Sequence, residues 1–470
     1  MQINCSISST INLNPNDLPL DVKNKVLSRL RVPNPQKKMA VREMLRNANK
    51  IPEFIDLWKY NGHHELVLPR GFVFEFEKIL NDNDIYVKYK NETIKDYSCS
   101  AQKNINPIDL RDYQDEAVSE LFSYGSGVYK SPTGSGKTRT MLELIRCCGQ
   151  RTLVICEKLD IASQWEDIAI NFGFEIGKEL LICLRQTILA ANYGPIWFDE
   201  FGCVVLDEQH HASSETNFEL LGRFPAYYRF GCSATPDSDE DLFPISRAVI
   251  GPVVHSTLVE EIGEHLVIPS VRVIKTEFEF PYRPTERLQN GRVLRNNYND
   301  MMAALEKNRA RNELIIDCVL EECWGGSNIG KCLIVSKRKE HLKELTKIFI
   351  EKCPTIFNGP IQFLTGDNSS QAQKISYRID KQIGFEGSVL FSTLAEEGTD
   401  IPRLDRLFLA YPGRKLRGFE QSIGRIMRPH PQKKDAIVYD FRDYKVPLLN
   451  SQFRDRSQRI YSKREYKIDA

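Results

Sequence analysis

A chain of 470 residues, 41% hydrophobic and 27% charged, has ordinary globular composition and room for about three domains. Its formal net charge of +1 excludes a bulk polycation, so any nucleic-acid contact must come from local basic groups. No apolar run approaches membrane-spanning length, no basic-then-apolar segment opens the sequence, and the twelve cysteines include no Cys-x-x-Cys pair. Membrane partners, a secretory leader and a zinc module are therefore not expected, and a cytoplasmic protein is.

Residues 1–106 read as a small α+β accessory domain. Asn14-Pro15 and Pro33-Asn34-Pro35 are turn signals, and Lys37, Lys38, Arg42, Arg46 and Lys50 form a basic segment. Strand-like pieces follow at Glu65–Leu68, Phe72–Phe76 and Ile85–Tyr89. The basic and aromatic residues suit either nucleic-acid contact or a plain solvated surface.

Residues 107–260 alternate apolar strands with helical segments, the pattern of a parallel sheet buried on both faces. Within them, Ser131-Pro132-Thr133-Gly134-Ser135-Gly136-Lys137-Thr138 follows a short strand and opens a helix. Gly134 and Gly136 let backbone N–H groups converge on one anion, Lys137 would reach the β- and γ-phosphates of ATP, and the Thr138 hydroxyl would hold Mg²⁺. The usual pattern opens with Gly where Ser131 stands, and the bland alternative is a Gly/Ser turn without function. Upstream, Arg111 and Gln114 stand at helical spacing and suit reading and stacking on adenine.

A later strand ends in Asp207-Glu208-Gln209-His210. Functional groups collect at the carboxyl ends of parallel strands, so Asp207 is placed to hold Mg²⁺ opposite Thr138, and Glu208 to orient and deprotonate a water. His210 is expected to communicate with a domain interface. Ser233-Ala234-Thr235-Pro236, at the next strand end, suits a link to a moving partner.

Residues 261–305 read as a joint, interrupted by Pro269, Pro281 and Pro284, with Glu277–Phe280 alternating like an edge strand. Residues 306–450 form a second α/β unit of similar design without a phosphate loop. In it, Gln421-Ser422-Ile423-Gly424-Arg425-Ile426-Met427-Arg428 places two arginines three apart on one helix face. Such a pair suits the charge on a departing γ-phosphoryl group, or nucleic-acid phosphates. Residues 451–470 read as a frayed or helical basic tail.

In this order the motifs resemble those of superfamily 2 helicases across roughly residues 107–445, of the XPB-like branch. The finer resemblance is to phage-encoded UvsW-type helicases acting on branched DNA, which include an element like Leu68-Pro69-Arg70-Gly71-Phe72. The fold implied is two tandem RecA-like parallel-sheet domains of the P-loop NTPase type, with the N-terminal α+β accessory. The resemblance implies an ATP- and Mg²⁺-dependent motor on forked or branched duplex and single strands, in the host cytoplasm if phage-encoded. Backbone contacts read both polymers, so RNA stays among the partners. Alternatives are a duplex translocase without net strand separation, an RNA-directed helicase, and an ATP-gated binding module. The motifs further imply Gly398, Asp400 and Gln421, with His210, Ser233 and Thr235, as coupling residues. Nucleic-acid contacts are implied at Gln164, Trp165, Arg185, Thr187, Ser336 and Thr393.

Overall fold

The computed structural model describes residues 1–42, 48–95, 105, 107–132, 134–207, 219–233, 243–263, 266–288, 293–294, 296–325, 330–353, 361–365, 388–393, 401–413 and 416–469. The chain divides into two compact units, Met1–Ile262 and Gly263–Ala470. Among the described residues no helix is long and apolar enough to cross a membrane.

The first unit opens with β1 (Gln2–Ile7), β2 (Thr10–Leu13), α1 (Leu20–Arg29), β3 (Lys59–Tyr60), β4 (Leu66–Pro69), α2 (Val73–Asn81) and β5 (Tyr86–Asn91). The strands form one sheet in the order β3-β4-β2-β1-β5. Ile3, Cys5 and Ile7 alternate onto one face and meet Ile11, Leu13, Leu66 and Leu68, with Val22 and Val26 of α1 and Phe76 and Leu80 of α2 closing the core. The stretch Phe72–Phe76 is not a strand. Phe72, Phe76 and Leu80 recur every four residues, so a helical stripe buries them, while Phe74 turns the other way toward Tyr124. Pattern and packing overrode the β-propensity of phenylalanine.

This core also contains Ile245 and Ala248, from the helix Phe243–Ile250 of the following sheet. The Leu68–Phe72 element lies at that seam. The Arg70 guanidinium donates to the Ser8 carbonyl at 2.6 Å. A Cβ on Gly71 would lie 2.5 Å from the Gly251 nitrogen, so the seam closes backbone on backbone.

The second sheet of this unit is built from β6 (Ser126–Lys130), β7 (Thr152–Cys156), β8 (Leu180–Leu184), β9 (Cys203–Asp207), β10 (Tyr228–Ser233) and β11 (Val253–Ser256). All its pairings are parallel, in the order β8-β7-β9-β10-β6-β11. Helices α3 (Asp112–Tyr124), α4 (Lys137–Cys148) and α5 (Leu159–Asn171) connect it. Every residue of β7 is buried, as are those of β9 before Asp207, which is why these strands read as continuous apolar runs.

The second unit carries β12 (Ser270–Lys275), β13 (Lys331–Val335), β14 (Ile361–Leu364), β15 (Ser388–Ser392), β16 (Arg406–Leu409), β17 (Ile437–Arg442) and β18 (Ile468–Asp469). These form an all-parallel sheet in the order β14-β15-β13-β16-β17-β12-β18. Helices α6 (Arg309–Leu320), α7 (Lys339–Lys352), α8 (Leu416–Ile426) and α9 (Pro447–Arg456) accompany it. Two parallel α/β sheets in tandem are thus present, as the RecA-like reading requires.

Two expected boundaries are corrected. The segment 261–305 is not simply a joint, because β12 pairs with β17 over six residues and also with β18. Its polar letters hid it: Arg272 is half-exposed, lies over the Tyr439 ring and pairs with Glu322 at 3.0 Å. Glu277–Phe280 does alternate, with Phe278 buried and Glu277 and Glu279 both meeting Lys445, but it joins no sheet.

Residues 451–462 are helical, as one of the two readings of the tail has it, but they are packed and not frayed. Gln452, Phe453, Arg456, Ile460 and Tyr461 are buried. Arg456 grips Asp440 of β17 through two bonds of 3.0 and 2.8 Å, and the Tyr461 hydroxyl donates to the same carboxylate at 2.5 Å. Breaking such a buried pair from one side leaves an uncompensated charge. We therefore expect Arg456→Ala to destabilise this unit by about 3–5 kcal/mol, read as a loss of urea resistance followed by Trp324 fluorescence.

Candidate nucleotide site and its surroundings

The phosphate loop is braced from three directions. The Ser131 N–H donates to the Ser233 carbonyl at 3.1 Å, tying the end of β6 to the end of β10. The Ser131 hydroxyl donates to the Ser135 hydroxyl at 2.6 Å, so the residue replacing the usual glycine cross-links the loop. Beneath it, Gln114 is buried and its side-chain amide donates to the Ser135 carbonyl at 2.8 Å, while its oxygen accepts from the Arg111 N–H at 3.0 Å. The Tyr113 hydroxyl also donates to the Ser135 carbonyl at 2.8 Å, and Arg111 donates to that hydroxyl at 2.8 Å.

Gln114 therefore props the loop with one N–H and one oxygen lone pair of its amide. Tyr113 joins Arg111 and Gln114 as a loop-bracing residue that its apolar ring does not advertise in the sequence. An aromatic residue one position before Gln114 at a helix start is the signal the sequence offers.

Gly134 and Gly136 have φ of 89° and 82°, the left-handed region that turns successive N–H groups toward one point. Lys137 begins α4 and curls back, its ammonium donating to the carbonyls of Ser131 at 3.1 Å and Pro132 at 3.3 Å. The loop thus already holds one full positive charge and a helix N-terminus beside a glycine-lined turn. That arrangement fits a phosphate group.

Asp207 ends β9. In the ladder Asp207 faces Cys232, and Cys232 faces Tyr129, so two strand spacings, roughly 10 Å, separate its backbone from β6. Its Oδ2 accepts from the Trp165 indole N–H at 2.7 Å, and its Oδ1 accepts from the Cys232 thiol at 3.2 Å. A carboxylate and the half-buried Thr138 hydroxyl are hard oxygen donors, the set Mg²⁺ takes when phosphates complete its shell. Among the described residues no cluster of His, Cys, Asp and Glu offers a softer metal site.

The other candidates separate. Trp165 is fully buried, so it is no surface grip for nucleic acid. Ser336 is buried too. Arg185 forms an ion pair with Glu157 at 2.8 Å, across the ends of β8 and β7. Gln164 and Thr393 are half-buried and Thr187 is exposed. Ser233 and Gln421 are buried. Thr133, Glu208, His210, Thr235, Gly398 and Asp400 lie outside the described residues.

Arg425 and Arg428 do not share a helix face. Arg425 lies in the last turn of α8, which ends at Ile426, and Arg428 follows the helix. The Lys433 ammonium caps that end on the carbonyls of Ile426 at 3.0 Å and Arg428 at 2.5 Å. Burial pushes the Arg428 guanidinium down to about 10, which leaves it protonated at neutral pH.

Ser336 belongs to a closed polar chain at the end of β13. The Asn312 amide nitrogen donates to the Glu306 carbonyl at 2.7 Å, which leaves its oxygen to accept from His341 Nε2 at 3.1 Å. His341 Nδ1 must then accept from the Ser336 hydroxyl at 3.0 Å, and that oxygen receives the Arg338 N–H at 3.4 Å. Burial, with Arg311 nearby, lowers the His341 pKa from 6.5 to about 3, so the ring is neutral in the native state.

Residues 107–238 match the family described as type III restriction enzyme, res subunit. The DNA 3'-5' translocase XPB2 of Sulfurisphaera tokodaii is 24% identical over 362 residues, covering 71% of this chain and 81% of that protein. A fragment of an HsdR-type subunit of a type I restriction enzyme from Vibrio vulnificus superposes with a TM-score of 0.57 at 16% identity, over 98% of this chain and 87% of that one, and supports the fold. The T4 UvsW structure aligns over 100% of this chain and 99% of its own, with a TM-score of 0.43 and 14% identity.

A Cβ at Gly136 would lie 2.6 Å from the Gln114 amide nitrogen, at a positive φ. Strain there is ~1–3 kcal/mol, so Gly136→Ala is expected to weaken binding of an ATP analogue about tenfold or more in an equilibrium titration. For His341 the unfolded chain takes up a proton below about pH 6.5 that the native ring refuses. Stability is then complete above that pH and lost as pH falls toward 3, by about 1.4 kcal/mol per unit. Urea denaturation of wild type and His341→Asn, between about pH 7.5 and 5, should differ by that slope.

Proposed function

We propose that this chain, which carries a superfamily 2 helicase domain, is a nucleic-acid-dependent ATPase that drives rearrangement of forked or branched DNA. The observation that carries the reading is the Lys137 ammonium curled into a braced, glycine-turned loop, in the same parallel sheet whose β9 ends in Asp207. A second parallel sheet, with no such motif in its sequence, supplies two arginines after an apolar strand.

In this reading Lys137 exchanges two backbone carbonyls for the β- and γ-phosphate oxygens of ATP, which carry more charge. Thr138 and Asp207 hold Mg²⁺, which when bound offsets the negative charge growing between those phosphates. Glu208 orients a water and accepts its proton as it attacks the γ-phosphorus. Arg425 and Arg428 neutralise the departing phosphoryl charge when the second unit approaches, which makes hydrolysis depend on closure. Ser233 is bonded to the phosphate loop through its carbonyl, so a shift of the segment after it would be felt at Ser131. Together with His210, Thr235, Gly398, Asp400 and Gln421, it would convert closure into movement along a strand. Gln164, Arg185, Thr187 and Thr393 are the remaining grip candidates. Their phosphate contacts would make affinity fall with salt and depend little on sequence.

A second reading, a duplex translocase without net strand separation, is favoured by the similarity to the DNA 3'-5' translocase XPB2. Strand displacement on forked, four-way and blunt duplexes separates the two. DNA-stimulated ATPase without displacement of any branched substrate selects the translocase, and a parallel RNA arm decides the polymer. Glu208→Gln should lower the stimulated kcat about 10²–10⁴-fold while nucleotide binding persists; an unchanged kcat discards the mechanism.

A further inference from the structure

Trp165 stands out among the largest fully buried side chains. It lies in the middle of α5, in the core shared by Met141, Val154, Cys156, Val205 and Cys232. Its one polar atom, the indole N–H, is a donor only, and it donates to Asp207 Oδ2 at 2.7 Å. The opposite oxygen receives the Cys232 thiol at 3.2 Å. A carboxylate rotates about a broad two-fold torsion, so a donor on each oxygen fixes the plane in which its remaining lone pairs project. The indole bond is the shorter of these two and the thiol is a weak donor, so of this pair Trp165 constrains the carboxylate more.

Asp207 has to leave the sheet at a defined angle if it is to hold a cation with Thr138. A buried ring on a connecting helix, donating to one carboxylate oxygen, sets that angle without touching the cation. We propose that Trp165 is a positioning residue for the metal-holding carboxylate. This rests on the nucleotide-site reading of Asp207 given above. The bond also gives α5 a mechanical hold on the site. Gln164, half-buried, precedes Trp165, and the helix begins beside the exposed Lys158 and Leu159. A polynucleotide engaging the start of α5 would therefore act on Asp207 through one hydrogen bond.

The test is Mg²⁺-dependent binding of a fluorescent ADP analogue to the full chain, wild type against Trp165→Phe, which keeps an aromatic ring and removes the donor. The Mg²⁺ concentration at half-maximal enhancement should rise about 10–100-fold, while affinity in excess EDTA stays at the wild-type value. A purely structural role would weaken both together. An unshifted Mg²⁺ midpoint, or equal loss in EDTA, overturns the proposal alone. Wild-type binding that ignores Mg²⁺ overturns the metal-holding assignment of Asp207 and this proposal with it, whereas no binding at all overturns the nucleotide-site reading.

Should Trp165→Phe fail to fold, a second measurement decides. With Trp58, Trp197 and Trp324 replaced by Phe, the emission of Trp165 should shift on adding Mg²⁺ with ADP and not with ADP in EDTA. An emission indifferent to Mg²⁺ overturns the proposal.

Discussion

The carbonyl oxygen of Ser135 accepts two hydrogen bonds, from Tyr113 and Gln114, and the loop above it depends on both. A glycine-rich turn left to itself samples many conformations, because glycine loses more freedom on ordering than any other residue. Two buried donors from the start of α3 and a backbone bond to β10 hold this one in a single shape before any ligand arrives. Preorganisation of that kind lets the binding energy of a triphosphate go into charge compensation instead of ordering the chain. It also makes α3, which precedes β6 and packs Ala117, Val118 and Leu121 into the core of that sheet, part of the site.

The second unit solves a different problem. Its sheet is parallel and covered, yet two of its strands and the residue just beyond one of them carry charges into the interior. Arg406 of β16 meets Glu322 and Asp435, Asp440 of β17 meets Arg456, and Asp443 just beyond β17 meets Arg311. Each guanidinium finds a carboxylate, and Arg311 also donates to the Ala410 carbonyl at 2.9 Å. Such groups add little net stability over apolar residues of the same shape, but they punish every alternative register in which a charge is left alone. In a sheet of seven strands with similar apolar faces, that penalty discriminates among pairings.

Much of this architecture was legible in the letters. Apolar runs at 153–156, 203–206, 332–335 and 389–391, alternating with helical segments, became buried parallel strands because burial on both faces selects such runs. The phosphate loop was legible for the same reason: glycine at two fixed positions before Lys-Thr has a geometric purpose. What failed did so where one residue serves two environments. Phe72–Phe76 fits period two and period four, and only the neighbouring helix and sheet decide between them. Ser270–Lys275 looks too polar for a strand until Glu322 and Tyr439 are seen to receive Arg272. Trp165 and Ser336 sit in motifs of surface appearance, and no local pattern says that a chain segment 42 residues away brings Asp207 to the indole.

The position of β12 has a consequence for how the protein is made. Its hydrogen-bonded neighbours in the sheet are β17 and β18, and its last turn is fastened by a contact spanning 167 residues, from Thr276 to Asp443. A ribosome adding roughly 5–20 residues per second exposes β12 on the order of ten seconds before the strand that will hold it. During that interval it presents two unsatisfied edges to whatever lies nearby. The first unit, whose strands all precede residue 257, can be complete by then. Synthesis from the amino end therefore delivers a finished nucleotide-binding half first, with the second half waiting on its final strands.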